Sequence, residues 1–321
     1  MLVMVAPGQG AQIPGFLTPW LEEPEFADHL HWLSMVSGID LAYFGTEAEA
    51  DAIRDTAIAQ PLIVATGLVA AHALFPDPIR DAQAVDIAAG HSLGEITIAA
   101  GVGMISAEQA MVLVRERGKA MAETAAKTES GMIAILGGEA EEVSETLLRH
   151  NLAIVNDNGP GQVVAAGARE DINRLIEDPP SRTRLRPLEI AGAFHTKEVD
   201  HVADLLSRCA RAISPLDPAT GMLSNRDGRV VRDGREMLDL TVRQVSLPVH
   251  WNRCMETMVE LGVTGFLELA PATTLTRIAW RQLPGVETFM LNTPDQLDDA
   301  RAFVDKHSGR RGAGGGASSP S

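Results

Sequence analysis

The sequence predicts an α/β protein, a core of short buried strands and helices interrupted by a smaller β-α-β-β-α-β unit. Three observations predict it. Runs that are apolar at nearly every position, Leu2–Ala6, Ala84–Ala89 and Gly265–Leu269, read as strands buried on both faces, and helical stretches separate them. Between residues 128 and 192 the order changes to β-α-β-β-α-β within about 65 residues, the split-βαβ or ferredoxin-like pattern. The 321 residues, 45% of them hydrophobic, suffice for one large core and an insert. The division expected is a core from residues 1–127 and 193–307, an insert at 128–192, and a disordered Gly/Ser tail at 308–321 with nothing to bury.

The elements follow in order. MLVMVA is a first core strand and not a signal peptide, because it lacks a basic leader and reaches Pro7 and Gly8 at once. The loop PGQGAQIPG and a polar helical region to about Ala50 come next. Thr56–Ala73 is a helix rich in small apolar residues, with Pro61 near its start. The strand Ala84–Ala89 leads into the turn Gly90–Gly94 and a helix. Ser106 opens another helix, and Gln109 completes an S-x-x-Q capping box. The insert reads as strand Met132–Leu136, helix Glu139–Arg149, strands Leu152–Asn156 and Gln162–Ala166, helix Arg169–Ile176 and strand Thr183–Ile190. The core resumes with helix Thr196–Ile213, strand Gly221–Asn225, a turn at Asp227-Gly228, helices Glu236–Val245 and Trp251–Leu261, and strand Gly265–Leu269. The sequence has no internal repeat.

Composition removes several function classes. Asp and Glu outnumber Lys and Arg by 43 to 27, a net charge of −16 that repels nucleic acid and anionic membranes. No apolar run is expected to reach the length of a membrane span. Two cysteines, Cys209 and Cys254, without metal-ligand spacing, fit a reducing compartment, so a soluble cytoplasmic protein without a metal site is expected.

The chemistry centres on Gly90-His91-Ser92-Leu93-Gly94, a G-x-S-x-G between a strand and a helix. The small residues let strand and helix approach, and the turn lifts Ser92 as a nucleophile. The Leu93 amide, at the helix N-terminus, then points at the oxygen under attack. The plain alternative is a tight βα turn with an incidental serine. Gly8-Gln9-Gly10 lacks the third glycine and the distal acid of a dinucleotide fingerprint, so its glycines better serve close backbone approach, with the Gln9 amide opposite Leu93. Arg117 shares a helix stripe with Ala110, Val114 and Met121, a guanidinium on a face turned to the core. It is either half of a structural ion pair or a receptor for a substrate carboxylate. Of nine histidines, His29, His31, His72, His150 and His307 lie in polar runs and are expected in solvent, and His91 belongs to the turn and points away from Ser92. His195, before a helix capped by Thr196, is either structural or a neutral general base.

PGQGAQ, GHSLGE, RGKAM, NDNGPGQVVAAG, GAFHT and RQVSLPVHW occur in that order. Over about residues 1 to 300 the chain resembles the malonyl-CoA:acyl-carrier-protein transacylases, in their actinobacterial form, and the related acyltransferase domains of polyketide synthases. The resemblance implies an α/β-hydrolase-like core with a ferredoxin-like insert. It implies ping-pong transfer of a malonyl group from malonyl-CoA through Ser92 to the phosphopantetheine thiol of acyl carrier protein, with His195 as base and no cofactor. It assigns the oxyanion hole to Gln9 and Leu93 and the malonyl carboxylate to Arg117. Gln244 orients the histidine through a main-chain carbonyl, and Phe194 crowds an α-methyl group, a preference of ~1–3 kcal/mol.

Two departures stand out: Ala270-Pro271-Ala272 where the family has Gly-Pro-Gly, and Asn158-Gly159-Pro160-Gly161 where it has Asn-Ser-Pro-Gly. Arg182, Arg184 and Arg186, with Lys197, Arg277 and Arg281, are candidates for docking the acidic carrier protein, and a monomer is expected. The alternatives are a discrete polyketide-pathway acyltransferase, an editing acyl-carrier-protein thioesterase, a non-catalytic docking module and a plain hydrolase. The docking module would have lost Ser92, His195 or Arg117. The hydrolase would show a third acid to orient His195.

Overall fold

In a computed structural model, which describes residues 1–77, 81 and 83–309, the strands form two sheets. They are β1 (Leu2–Ala6), β2 (Ile87–Gly90), β3 (Ser130–Gly137), β4 (Ala153–Asp157), β5 (Gln162–Ala168), β6 (Thr183–Ala191), β7 (Gly221–Leu223), β8 (Val230–Val231), β9 (Val249–His250), β10 (Gly265–Glu268) and β11 (Glu287–Met290). The larger sheet has the order β11-β10-β1-β2-β7-β8 and is parallel except for the β7–β8 hairpin at its edge. The smaller has the order β6-β3-β5-β4-β9, antiparallel except where β9 joins β4. The protein is therefore mixed α/β.

The apolar strands are buried on both faces. Leu2, Met4 and Ala6 of β1 join one core while Val3 and Val5 join another across the sheet. This is why these strands read as continuous apolar runs without alternation. The helix Thr56–Leu74 fills the first core and packs against the helix Ala107–Ala125, where a Cβ on Gly118 would come within 2.9 Å of the Thr56 carbonyl oxygen. Contrary to the sequence expectation, this helix has the length and apolarity of a membrane span, 19 residues with a mean hydropathy of 1.7. Its most apolar window is 83% buried inside the protein, the mark of a helix surrounded on all sides by core.

The β-α-β-β-α-β segment occurs with helices Ala140–Arg149 and Arg169–Glu177 on one face of its sheet. Ile133, Ile135, Val143, Leu147, Ile172 and Leu175 make its own small core, while Met132, Val155, Val164 and Ala166 on the other face join the main one. The parallel pairing of Asn156 with Val249 stitches the later chain to this sheet.

The Ser106 capping box forms as expected. The expected long helix after His195 begins instead as a 3-10 turn, Lys197–Val199, and continues as Asp200–Ala210. Helix Thr274–Gln282, strand β11 and helix Leu297–His307 were not anticipated. The last does carry a signal, because Leu297, Ala300 and Val304 fall at helical spacing and are buried. Of the expected tail, Ser308 and Gly309 are described, with the Gly309 amide donating to the Asp86 carboxylate at 3.1 Å; residues 310–321 lie outside the described residues.

Candidate active site

Strand β2 ends in the sharp turn that the sequence pattern requires. Ser92 has φ +55°, a left-handed conformation disfavoured for a residue with a side chain. The glycines on either side are demanded by contact. A Cβ on Gly90 would lie 1.9 Å from the Gly94 carbonyl carbon, and one on Gly94 2.2 Å from the Ala6 carbonyl oxygen. The helix Gly94–Gly101 then runs back under the sheet.

The turn brings Ser92 Oγ 2.9 Å from His195 Nε2 and 3.2 Å from the Arg117 guanidinium, which donates to it. His195 is itself left-handed, φ +62°, and its amide donates to Val245 O at 3.1 Å. The His195 Nδ1 lies 3.1 Å from both Gln244 O and Leu247 O. Two carbonyls there require Nδ1 to carry the hydrogen, leaving the Nε2 lone pair for Ser92. Gln244, buried, also donates from Nε2 to Leu247 O at 3.2 Å. It therefore acts on the histidine through the carbonyl the resemblance implied and does not line the cavity around Ser92.

Burial, and after it the charge of Arg117, push the His195 imidazole down to about 3, so it is neutral at physiological pH. The sequence would put a neutral imidazole down to a following helix N-terminus, but Thr196 caps only the short 3-10 turn, with its hydroxyl accepting from the Glu198 amide. His91 points away from Ser92 as expected, with Nε2 3.0 Å from Asn158 Oδ1 and its ring edge-on to Trp251. His307, expected in solvent, is buried, with Nδ1 3.0 Å from Thr264 Oγ1.

Arg117 is 3% exposed and donates to Gln60 Oε1 at 2.6 Å. Among the described residues no carboxylate lies within ion-pair distance of it. Glu95, the acid whose field Arg117 feels, is itself pushed up to about 8 by burial. Among the described residues, then, the buried Arg117 cation adjoins the cavity with Gln60 and Ser92 as its hydrogen-bond partners and no carboxylate in contact.

That cavity, about 70 Å³, is lined by Gln9, Ser92, Leu93, Arg117, Phe194 and His195 among others. Neither the Gln9 nor the Leu93 amide donates to a main-chain acceptor among the described residues. The Gln9 side chain is held by Thr56 Oγ1 at 3.2 Å and by Gln60 Nε2 at 3.4 Å. Gln9, His91, Asn156 and Leu188 also line an adjoining groove of about 530 Å³, walled by Ile13, Ile53, Leu275 and Ile278. Of the departing segment 269–276, Thr274 and Leu275 line this groove, while Ala270, Pro271 and Ala272 do not.

Sequence reasoning missed Gln60, Asn225 and the Leu247 carbonyl. Gln60 carried a signal, being an amide on an otherwise apolar buried helix. The main-chain carbonyl of Leu247 carried none. Arg182, Arg184, Arg186, Lys197, Arg277 and Arg281 are all exposed, and Arg281 reaches across the groove to hydrogen-bond Gln162.

Fold and site together define an acyltransferase, and the acyl transferase domain family matches residues 3–291. The chain is 42% identical over 299 residues to the malonyl CoA-acyl carrier protein transacylase of Mycobacterium tuberculosis, covering 93% of this chain and 99% of that protein. The Mycolicibacterium smegmatis enzyme of the same name is 41% identical over 286 residues, 88% of this chain and 98% of its own. The chain belongs to the malonyl CoA-acyl carrier protein transacylase family. A crystal structure of the Mycobacterium tuberculosis transacylase is similar with a TM-score of 0.89 at 42% identity, covering 94% of this chain and 99% of that one. A malonyl-transacylase in complex with a type II polyketide acyl-carrier protein is similar at 0.85 and 27% identity, covering 94% and 99%.

Proposed function

We propose that this protein moves a malonyl group from malonyl-CoA to the phosphopantetheine thiol of acyl carrier protein through a malonyl ester on Ser92, supplying extender units for fatty acid synthesis. The observation that carries this reading is the double engagement of Ser92 Oγ, by His195 Nε2 at 2.9 Å and by Arg117 at 3.2 Å. His195 takes the Ser92 proton as Oγ attacks the thioester carbonyl. The amides of Gln9 and Leu93 receive the oxyanion. The C–S bond then breaks and His195 returns the proton to the departing CoA sulfur. The second half runs in reverse, with the carrier thiol attacking the ester and Ser92 leaving. The donor is a thioester and the acceptor a thiol, so acyl exchange through the Ser92 ester balances with the proton carried by His195 and is written without metal or cofactor. The charge on Arg117 fits the free carboxylate of malonate, and Phe194 borders the acyl position.

Several features support the finer architecture in this reading. The insert sheet runs fourth, first, third, second in its own strand order, which suits a ferredoxin-like unit over residues 128–192. A parallel sheet with the elbow after a central strand suits an α/β-hydrolase-like core over 1–127 and 193–307. Two free cysteines suit the cytoplasm. The exposed arginines of β6 suit an acidic carrier protein.

The test is to incubate the protein with radiolabelled malonyl-CoA or acetyl-CoA, trap it, and then add carrier protein. Labelling by malonyl alone, followed by passage to carrier protein, is the expected result. Prompt release to water would favour an editing thioesterase. No label at all would sink every mechanism through Ser92.

A further inference from the structure

We propose that Asn225 is a positioning residue for acyl transfer, whose carboxamide holds the Ser92 backbone in its left-handed conformation while Glu95 holds Asn225. Strand β7 pairs in parallel with β2 through Ile87–Gly221, Ala88–Met222 and Ala89–Leu223, and there the ladder stops. One residue later β2 turns into the elbow, and no strand can follow it. The Asn225 side chain continues the pairing in place of a backbone. Its Oδ1 accepts from the Ser92 amide at 2.7 Å, and its Nδ2 donates to Gly90 O at 2.7 Å.

A carboxamide suits this place because it offers an acceptor and a donor side by side, as a peptide group does. Aspartate would set an oxygen against the Gly90 carbonyl, and alanine would leave both elbow groups unpaired in the interior. Asn225 is itself wholly buried and fixed at both of its main-chain groups. Its amide donates to Glu95 Oε1 at 2.8 Å, and its carbonyl accepts from the His250 amide at 2.8 Å. Glu95 is 0% exposed, and its Oε2 has no partner among the described residues. Among the described residues the carboxyl meets the Asn225 amide and makes no ion pair. Because the Ser92 amide is occupied, the oxyanion falls to Gln9 and Leu93. The proposal rests on the reading of Ser92 as nucleophile.

The test compares Asn225→Ala and the pair Glu95→Gln and Glu95→Ala, with every rate divided by the number of sites that trap a malonyl ester. A displaced nucleophile should lower the per-site kcat roughly 10- to 100-fold in Asn225→Ala, with the KM for malonyl-CoA changed by less than about 3-fold. Glu95→Gln, which keeps the acceptor for the Asn225 amide, should retain the wild-type rate where Glu95→Ala does not. A purely structural role would lower the fraction of active sites and leave each surviving site at full rate, and that result would overturn the proposal. Should the alanine variants fail to fold, hydrogen exchange of the Ser92 amide in the unaltered protein decides. Slow exchange is expected, and exchange at the rate of an open turn overturns the assignment. Ser92→Ala run in parallel separates the two ideas, because malonyl transfer surviving in it would remove the nucleophile reading itself.

Discussion

Ser92 Oγ and His195 Nε2 lie 2.9 Å apart although 103 positions of chain, including strands β3–β6, separate them. Strands β3–β6 and their two helices follow the helix carrying Arg117 and precede the loop carrying His195, so the two ends of that stretch meet at Ser92. Behind His195 stand two main-chain carbonyls in place of a carboxylate. They orient the imidazole without adding a charge that would hold it protonated.

In the folded protein the His195 pKa is depressed to about 3 from 6.5, so between those values the unfolded chain binds a proton that the folded one does not. The contribution to stability is full above 6.5 and is lost as pH falls toward 3. Glu95 has the opposite sign: raised from 4.5 to about 8, it contributes stability below 4.5 that is lost as pH rises through 8. The acid limb of kcat/KM for malonyl-CoA should therefore fall well below 6.5, and Glu95→Gln should flatten the decline in stability toward pH 8. A rate profile breaking at the ordinary imidazole value would contradict the first, and an unchanged alkaline decline the second.

Arg117→Ala should lose discrimination before it loses chemistry. Removing the cation that meets a substrate carboxylate is expected to cost about 2–5 kcal/mol in kcat/KM for malonyl-CoA, while acetyl-CoA hardly changes or improves. Equal loss on both substrates, measured by steady-state kinetics, would return Arg117 to a structural role.

Phe194 is buried against the cavity beside Ser92. Phe194→Ser should enlarge the space beside an α-carbon and move the malonyl to methylmalonyl ratio by ~1–3 kcal/mol toward methylmalonyl. Competition between the two CoA esters for the trapped enzyme measures it. An unmoved ratio would place the selection elsewhere.

Gly94→Ala puts a methyl group 2.2 Å from the Ala6 carbonyl oxygen, a main-chain atom of the central strand that cannot yield cheaply. A stability loss of about 1–3 kcal/mol or more is expected from urea unfolding. A change within about 0.5 kcal/mol would show that helix and strand are not in the contact described.

Much of this was legible along the chain because it depends on local rules. The apolar runs of β1 and β10 announced strands covered on both sides, and the β-α-β-β-α-β order from β3 to β6 could be read in the spacing of its elements. The G-x-S-x-G placed Ser92, because helix and strand can meet at that distance only without side chains at Gly90 and Gly94. Arg117 was visible as a charge on an apolar stripe. Less was legible where elements are short or half-buried. β8 and β9 have two residues each, and no period can show in two residues.

The mixed α/β elements, the sharp turn at Ser92 and the charge on an apolar helix stripe could all be read along the chain, since each is written in the spacing of neighbouring residues. Only the tertiary structure decided what holds them. That Arg117 meets Gln60, that His195 is neutral through burial beside Arg117, and that Asn225 and the Leu247 carbonyl brace the pair are facts of residues far apart in the chain. A main-chain carbonyl has no residue identity to read, and a buried charge is defined by what surrounds it. Both exist only once the chain has closed around the site.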